Sequence, residues 1–283
     1  MCVVSDQGES NCGDGSYGCS QQAMVTSWRQ LWGQDFPFGF VELAGYDTDT
    51  LPGEAMSTRV VAGLRQQQQL AAIQEGVFFA VAMDLSDRAV MADLNITTDV
   101  HSRFKEQVGE RLSLGGRAVA FGEKTVPWRG PVATEATMVP NSASSVHVRF
   151  DVAGSTGGLV LLRPDLFELG FKNGSQPHYF RNATAVLVAK DTLLVQLVGK
   201  DLDRFAHAGE VTSVRYAQYN EPCNPSNDKA RMSPGGGGEP GPATTGNQTA
   251  TLSCSLYAKY AVRGAGQVTL PARAFTFNVH LQR

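Results

Sequence analysis

Two stretches of the 283-residue sequence carry side chains whose types and spacing could do chemistry. The first is "SDQGESNCG", Ser5 to Gly13, where two amides, a carboxylate and a hydroxyl crowd into a glycine-flanked run behind a short apolar segment. The second is "TTDVHSRFK", in which His101 follows Asp99 by two residues in a loop just ahead of a helical pattern. A carboxylate beside a histidine can fix its tautomer and support a general base. Loops leaving a parallel sheet are where α/β proteins place such groups. The same pair can also merely begin the helix, and spacing alone favours that plainer reading. The other histidines, His147, His178, His207 and His280, show no ligand spacing. No metal site and no cofactor are therefore expected.

The elements that must position these groups alternate along the first part of the chain. "GCSQQAMVTSWRQLWG" reads as a helix with Ala23, Met24, Ser27, Trp28, Leu31 and Trp32 at helical spacing, stopped by Gly33. "FPFGFVEL" reads as a buried strand. "MSTRVVAGLRQQQQLAAIQ" reads as a helix with Val60, Val61, Leu64, Leu70 and Ile73 as its apolar contacts, and Gln66 to Gln69 as a solvated face. "GVFFAVAM" is a continuous apolar run, as for a strand covered on both sides. A stripe of Phe104, Val108, Leu112 and Val119 then marks a third helix. Strand and helix in alternation imply a parallel sheet with crossovers.

Beyond residue 130 the rhythm changes to period two, beginning with Val146, Val148, Phe150 and Val152 in "SVHVRFDV". Six more short apolar runs follow, separated by turn residues. The expected organisation is a partial α/β domain over 1–130 and an antiparallel, sandwich-like β module over 131–283. A Gly/Pro-rich stretch at 233–247 reads as a disordered loop, and Cys223 and Cys254, which flank it, are placed to staple its base. Cys12 and Cys19 could pair across a short loop, leaving Cys2 over.

Composition narrows the partners. The chain is 42% hydrophobic and 18% charged, with a net charge of -3, which gives no reason to expect nucleic acid. No apolar run approaches the ~18 residues of a membrane span. Four Asn-X-Ser/Thr acceptors, at Asn95, Asn173, Asn182 and Asn247, take four of the ten asparagines. With five cysteines they point to a secreted or lumenal, lysosomal or extracellular, glycoprotein. "MCVVSDQ" is too short for a signal peptide, so none is read in this sequence.

Taken together, "DQGESN", "YGCSQQAMVTSWR" and "FPFGFVELAGY" resemble sialate O-acetylesterases, whose pattern is roughly QGE-(S/A)-N, Y-x-C and FPFxFVQL. "FFAVAMDLSD", "DVHSRFKEQVGERL", "VRYAQYNEPC" and "CSLY…LPARAF" are similar to that family's later segments, in the same order. The resemblance implies a serine esterase of the SGNH type that removes O-acetyl groups from sialic acid or related acetylated sugars, through a serine nucleophile and a histidine base. It implies that His101 is that base, with Asp99 its acidic partner and Asp84 and Asp87 as alternatives. It implies that Gln7, Gly8, Glu9 and Asn11 line the active site, and that Arg65 and Gln68 match a helix pair with a structural or a substrate role. Ser102 stands where the family has proline. Cys19 matches a lone family cysteine, which sets it against the pairing with Cys12.

The family's nucleophile block, of GQSN type, lies upstream of QGE, and no stretch of these 283 residues matches it. Neither Ser5 nor Ser10 sits in such a turn. The expectation is a chain that is inactive alone, with a non-catalytic carbohydrate-binding protein as the alternative reading. A fluorophosphonate probe should then label no serine of this chain rapidly and stoichiometrically. Labelling of that kind would overturn the expectation.

Overall fold

A computed structural model describes residues 2–45, 59–86, 102, 104–172, 179–197, 210–220, 222–223, 254–262 and 266–280. They pack as two compact units, Met1–Trp128 with Tyr219–Cys254, and Arg129–Gln218 with Ser255–Arg283. The Gly/Pro-rich stretch at 233–247 lies outside the described residues.

In the first unit, β1 (Val3–Ser5), β2 (Phe38–Glu42) and β3 (Val77–Val81) form a parallel sheet in sequence order. Every residue of β2 and β3 is buried, which accounts for their apolar runs, interrupted in β2 by Glu42. One face is covered by α1 (Tyr17–Trp32) and α2 (Val60–Ala71), the other by α3 (Lys105–Val119). Phe78 fills the gap between β2 and α3. A Cβ added at Gly39 or at Gly115 would lie 2.4 Å from its ring, so the absence of those two side chains lets helix and sheet approach. Gly33 ends α1 in the left-handed region, φ 63°, with its N–H on the last-turn carbonyls.

The buried stripes differ from those the apolar spacing suggested. On α1 the core-facing residues are Tyr17, Gly18, Gln21 and Val25, while Leu31 and Trp32 are exposed. Trp32 instead stacks with Trp28 and Phe36 at the helix end. On α2 the buried set is Val61, Ala62, Leu64, Arg65, Gln68 and Ala71, and both Leu70 and Ile73 are exposed. The glutamine run is therefore no solvated face. Gln68 is fully buried, Gln67 accepts the Gly18 N–H, and Gln69 donates to the buried Glu42. Carbonyls and amides at the sheet edge need partners that leucine cannot supply.

In the second unit the described strands pair antiparallel, and one parallel bridge, Thr137 with His280, lies outside those pairings. A seven-stranded sheet runs in the order β13 (Phe275–Asn278), β10 (Glu210–Tyr216), β7 (Phe167–Lys172), β8 (Tyr179–Ala189), β9 (Thr192–Gln196), β5 (Ser145–Asp151), β4 (Val132–Met138). A three-stranded sheet runs β12 (Gly266–Pro271), β11 (Leu256–Val262), β6 (Ser155–Leu161). The larger sheet carries an aromatic cluster of Phe150, Phe167, Tyr216 and Phe275. The Tyr216 hydroxyl accepts the Leu256 N–H and so joins one sheet to the other. The larger sheet also curls back on itself. His280, just past β13, pairs with β4 through Met138 N–H to its carbonyl and its own N–H to Ala136, leaving the sheet nearly closed.

At the end of β3, Asp84 takes both terminal nitrogens of Arg111 from α3, at 2.6 and 2.8 Å, with only 2% of its side chain exposed. Removing one partner of such a pair strands a buried charge, at a cost of about 3–5 kcal/mol. Arg111→Leu should destabilise the first unit by that amount, and adding Asp84→Leu should recover a good part of it. Urea titration followed by tryptophan fluorescence reads this unit selectively, since Trp28, Trp32 and Trp128 all belong to it.

Candidate active site

Parallel strands deliver their C-terminal ends to one sheet edge, and the QGESN segment leaves β1 at that edge. Gly8 has φ 133°, and a Cβ there would come within 3.2 Å of Leu64 and of the Tyr17 hydroxyl. Only glycine fits that backbone. Glu9 to Asn11 then make a single 3-10 turn, closed by the Asn11 N–H on the Gly8 carbonyl at 2.8 Å.

The side chains of this loop are tied to α1 and α2. The Tyr17 hydroxyl donates to Gln7 Oε1 at 2.6 Å, and Gln7 Nε2 donates to Asn11 Oδ1 at 2.8 Å. Gln68 reaches over from α2, donating through Nε2 to the carbonyls of Val41 and Gln7, while its Oε1 accepts the Leu43 N–H. Burial pushes the Tyr17 phenol up to about 12, with a Gln68 hydrogen bond opposing and the Glu9 charge adding. The phenol therefore keeps its proton across the neutral range. Cys12 packs beside Tyr17, and burial raises its thiol as well.

Arg65 is fully buried one turn from Gln68. Its guanidinium donates to Leu43 and Ala44 at the end of β2, and to Tyr219 and Asn220 from the segment near Cys223. Asn220 Oδ1 in turn accepts the Val61 N–H in the first turn of α2, a cap supplied from 159 residues away. Arg59 stacks on the Tyr219 ring. Cys223 and Cys254 form a disulfide, whereas Cys2, Cys12 and Cys19 are free thiols, so the alternative Cys12–Cys19 pairing is not made.

His101, Asp99 and Asp87 lie outside the described residues, as do Asn95, Asn173, Asn247, His178 and His207. Ser102, next to His101 in sequence, is buried, and its hydroxyl accepts the Phe104 N–H. Lys105 at the start of α3 reaches Asp6 at 2.8 Å. That contact joins a residue four positions after His101 to the residue before Gln7. Asp84 has both carboxylate oxygens on Arg111. Of the acceptor asparagines, Asn182 is described and sits exposed on β8. Among the described residues no group of three or more His, Cys, Asp or Glu is placed to hold a metal ion.

The curated proteins that this chain resembles are sialate O-acetylesterases. Sialate O-acetylesterase of Rattus norvegicus is 30% identical over 237 residues, covering 78% of this chain and 40% of that protein. The Homo sapiens sialate O-acetylesterase is 33% identical over 145 residues, 46% of this chain and 26% of its own. The likeness is to the sialate O-acetylesterase family. The chain spans about two fifths of the length of the rat member and about a quarter of the human one. A carbohydrate acetylesterase from Xanthomonas citri has the same fold over 97% of this chain and 50% of its own, with a TM-score of 0.65 at 23% identity. No family model matches the sequence.

Sequence reading singled out Gln7, Gly8, Glu9, Asn11, Arg65 and Gln68, and the structure gathers them about the ends of β1 and β2. It did not single out Tyr17, Asp6, Lys105 or Arg111. Tyr17 was legible as part of the "YGC" block, ten residues after Gln7. Arg65→Lys keeps the charge on one nitrogen and leaves some of these carbonyls unpaired, at about 1–3 kcal/mol each. Its expected loss of stability, on the order of 2–5 kcal/mol by the same reckoning, is measured by urea titration. A change below about 1 kcal/mol would mean that the carbonyls find other donors.

Proposed function

We propose that this chain forms part of a carbohydrate O-acetylesterase site acting on acetylated sialic acids or related acetylated sugars. In this reading a serine hydroxyl attacks the acetyl carbonyl, and His101 accepts its proton and passes it to the departing sugar oxygen. Water, activated by His101, then releases acetate from the acetyl-serine and returns the serine proton. Asp99 orients the imidazole. Asn11 and the backbone around Gly8 supply donors to the oxyanion. Because no stretch of the 283 residues matches the nucleophile block, the chain taken alone turns over no ester.

The Lys105–Asp6 contact carries the reading. It draws together the two parts of the chain that the mechanism needs, the QGESN segment and the approach to the His101 block. At side-chain exposures of 57% and 34% it adds little stability, so its interest is geometric. A secreted or lumenal setting is supported by the acceptor at Asn182 on an exposed strand and by the Cys223–Cys254 disulfide.

The test is acetate release from O-acetylated sialosides by the protein isolated from its source and by the 283-residue chain alone. The isolated protein should release acetate, with His101→Ala lowering kcat by roughly 10⁶-fold, as losing the base of a serine triad does. The chain alone should release none. Retention of the sugars on a glycan array without hydrolysis by the isolated protein would replace the esterase with a carbohydrate-binding protein.

A further inference from the structure

The hydrogen bonds around Gln7 run in one direction. They start at a backbone donor, the Leu43 N–H, which fixes Gln68 Oε1 as the acceptor at 3.1 Å. Gln68 Nε2 is thereby the donor end, shared between the carbonyls of Val41 and Gln7. The Tyr17 proton goes to Gln7 Oε1 at 2.6 Å, with the Gln7 carbonyl a longer second acceptor at 3.1 Å. Gln7 Nε2 must then face Asn11, which receives it on Oδ1 at 2.8 Å. The relay ends on Asn11, whose Oδ1 is taken up by that bond.

A carboxamide has two ends that differ only in donating or accepting, and rotation by half a turn exchanges them. Here the Leu43 N–H fixes the sense of Gln68, and the Tyr17 proton on Gln7 Oε1 turns Gln7 Nε2 toward Asn11 Oδ1. We propose that Tyr17 is a positioning residue, setting through Gln7 the sense of the Asn11 carboxamide so that Asn11 offers N–H donors and no acceptor. The use of those donors on an oxyanion rests on the esterase reading above; the sense of the chain does not. Tyr17 is suited to this task because its phenol is pinned among Leu43, Val61 and Leu64 and stays protonated. Its single proton meets Gln7 Oε1 at 2.6 Å, closer than the Gln7 carbonyl at 3.1 Å.

The test uses the full chain with ¹⁵N-labelled asparagine and glutamine, and reads the side-chain amide signals of Gln7 and Asn11. These are assigned by their loss in Gln7→Glu and Asn11→Asp. Tyr17→Phe removes the proton but keeps the ring. Both signal pairs should then move toward the shifts of solvent-exposed amides and exchange faster with water, while the backbone amides of α1 and α2 stay in place. Gln7→Glu tests the same point at an exposed position, independently of how well Tyr17→Phe folds. A carboxylate can only accept, so Asn11 must turn its nitrogen toward residue 7, and its amide pair should shift while staying protected. Asn11 signals unchanged in either folded variant would overturn the proposal. Neither readout passes through catalysis, so a chain without esterase activity still decides it.

Discussion

A guanidinium buried at the end of a parallel strand sets the terms for the first unit. Strand β2 stops at Glu42, and the carbonyls of Leu43 and Ala44, on two buried residues, lie beyond its end. Arg65 meets both and extends to Tyr219 and Asn220. Its planar fork of five donors suits that work, where an ammonium on one nitrogen would not. Burying a charge is costly unless its donors are satisfied. The helix that carries Arg65 is thus held to one rotation about its axis.

That rotation places everything else on α2. Gln68 follows by three residues and lands on β2 and Gln7; Leu64 comes up beneath Gly8; Val61 presents its N–H to Asn220. On the opposite face of the sheet the Asp84–Arg111 pair does for α3 what Arg65 does for α2. Each helix carries a polar side chain where spacing rules would place a leucine. Dispersion contacts alone tolerate sliding by a fraction of a turn, whereas two-nitrogen and carboxamide contacts do not. The QGESN loop depends on that precision, because its only regular structure is one short 3-10 turn.

The strands, the parallel sheet and the change of rhythm near residue 130 were legible because a strand buried on both faces, or on one, leaves a direct mark on hydrophobicity. The family likeness was legible from short segments in order, and it marked Gln7, Arg65 and Gln68 before any geometry was known. The helix faces were read less well. On α1 both flanks carry apolar residues, and the chosen flank was the exposed one, with Leu31 and Trp32. On α2 the glutamine run looked solvated, since periodicity counts apolar residues and is blind to an amide whose partners are backbone carbonyls. The ties from Asn220 to Val61 and from Lys105 to Asp6 join positions 159 and 99 residues apart, a separation at which no local pattern speaks.

The near closure of the seven-stranded sheet also bears on how the protein emerges from the ribosome. Its far edges are β4, starting at residue 132, and the stretch through residue 280, which must meet. The first unit is in a similar position, since Tyr219, Asn220 and Cys254 are made long after its sheet. Contacts of such separation are slow to form, and partly made sheets expose unpaired edges while they wait. Neither unit can complete itself while the downstream third of the sequence is still being synthesised. Until those stretches are made the nascent chain carries unpaired strand edges, and its disulfide cannot close before residue 254 is synthesised.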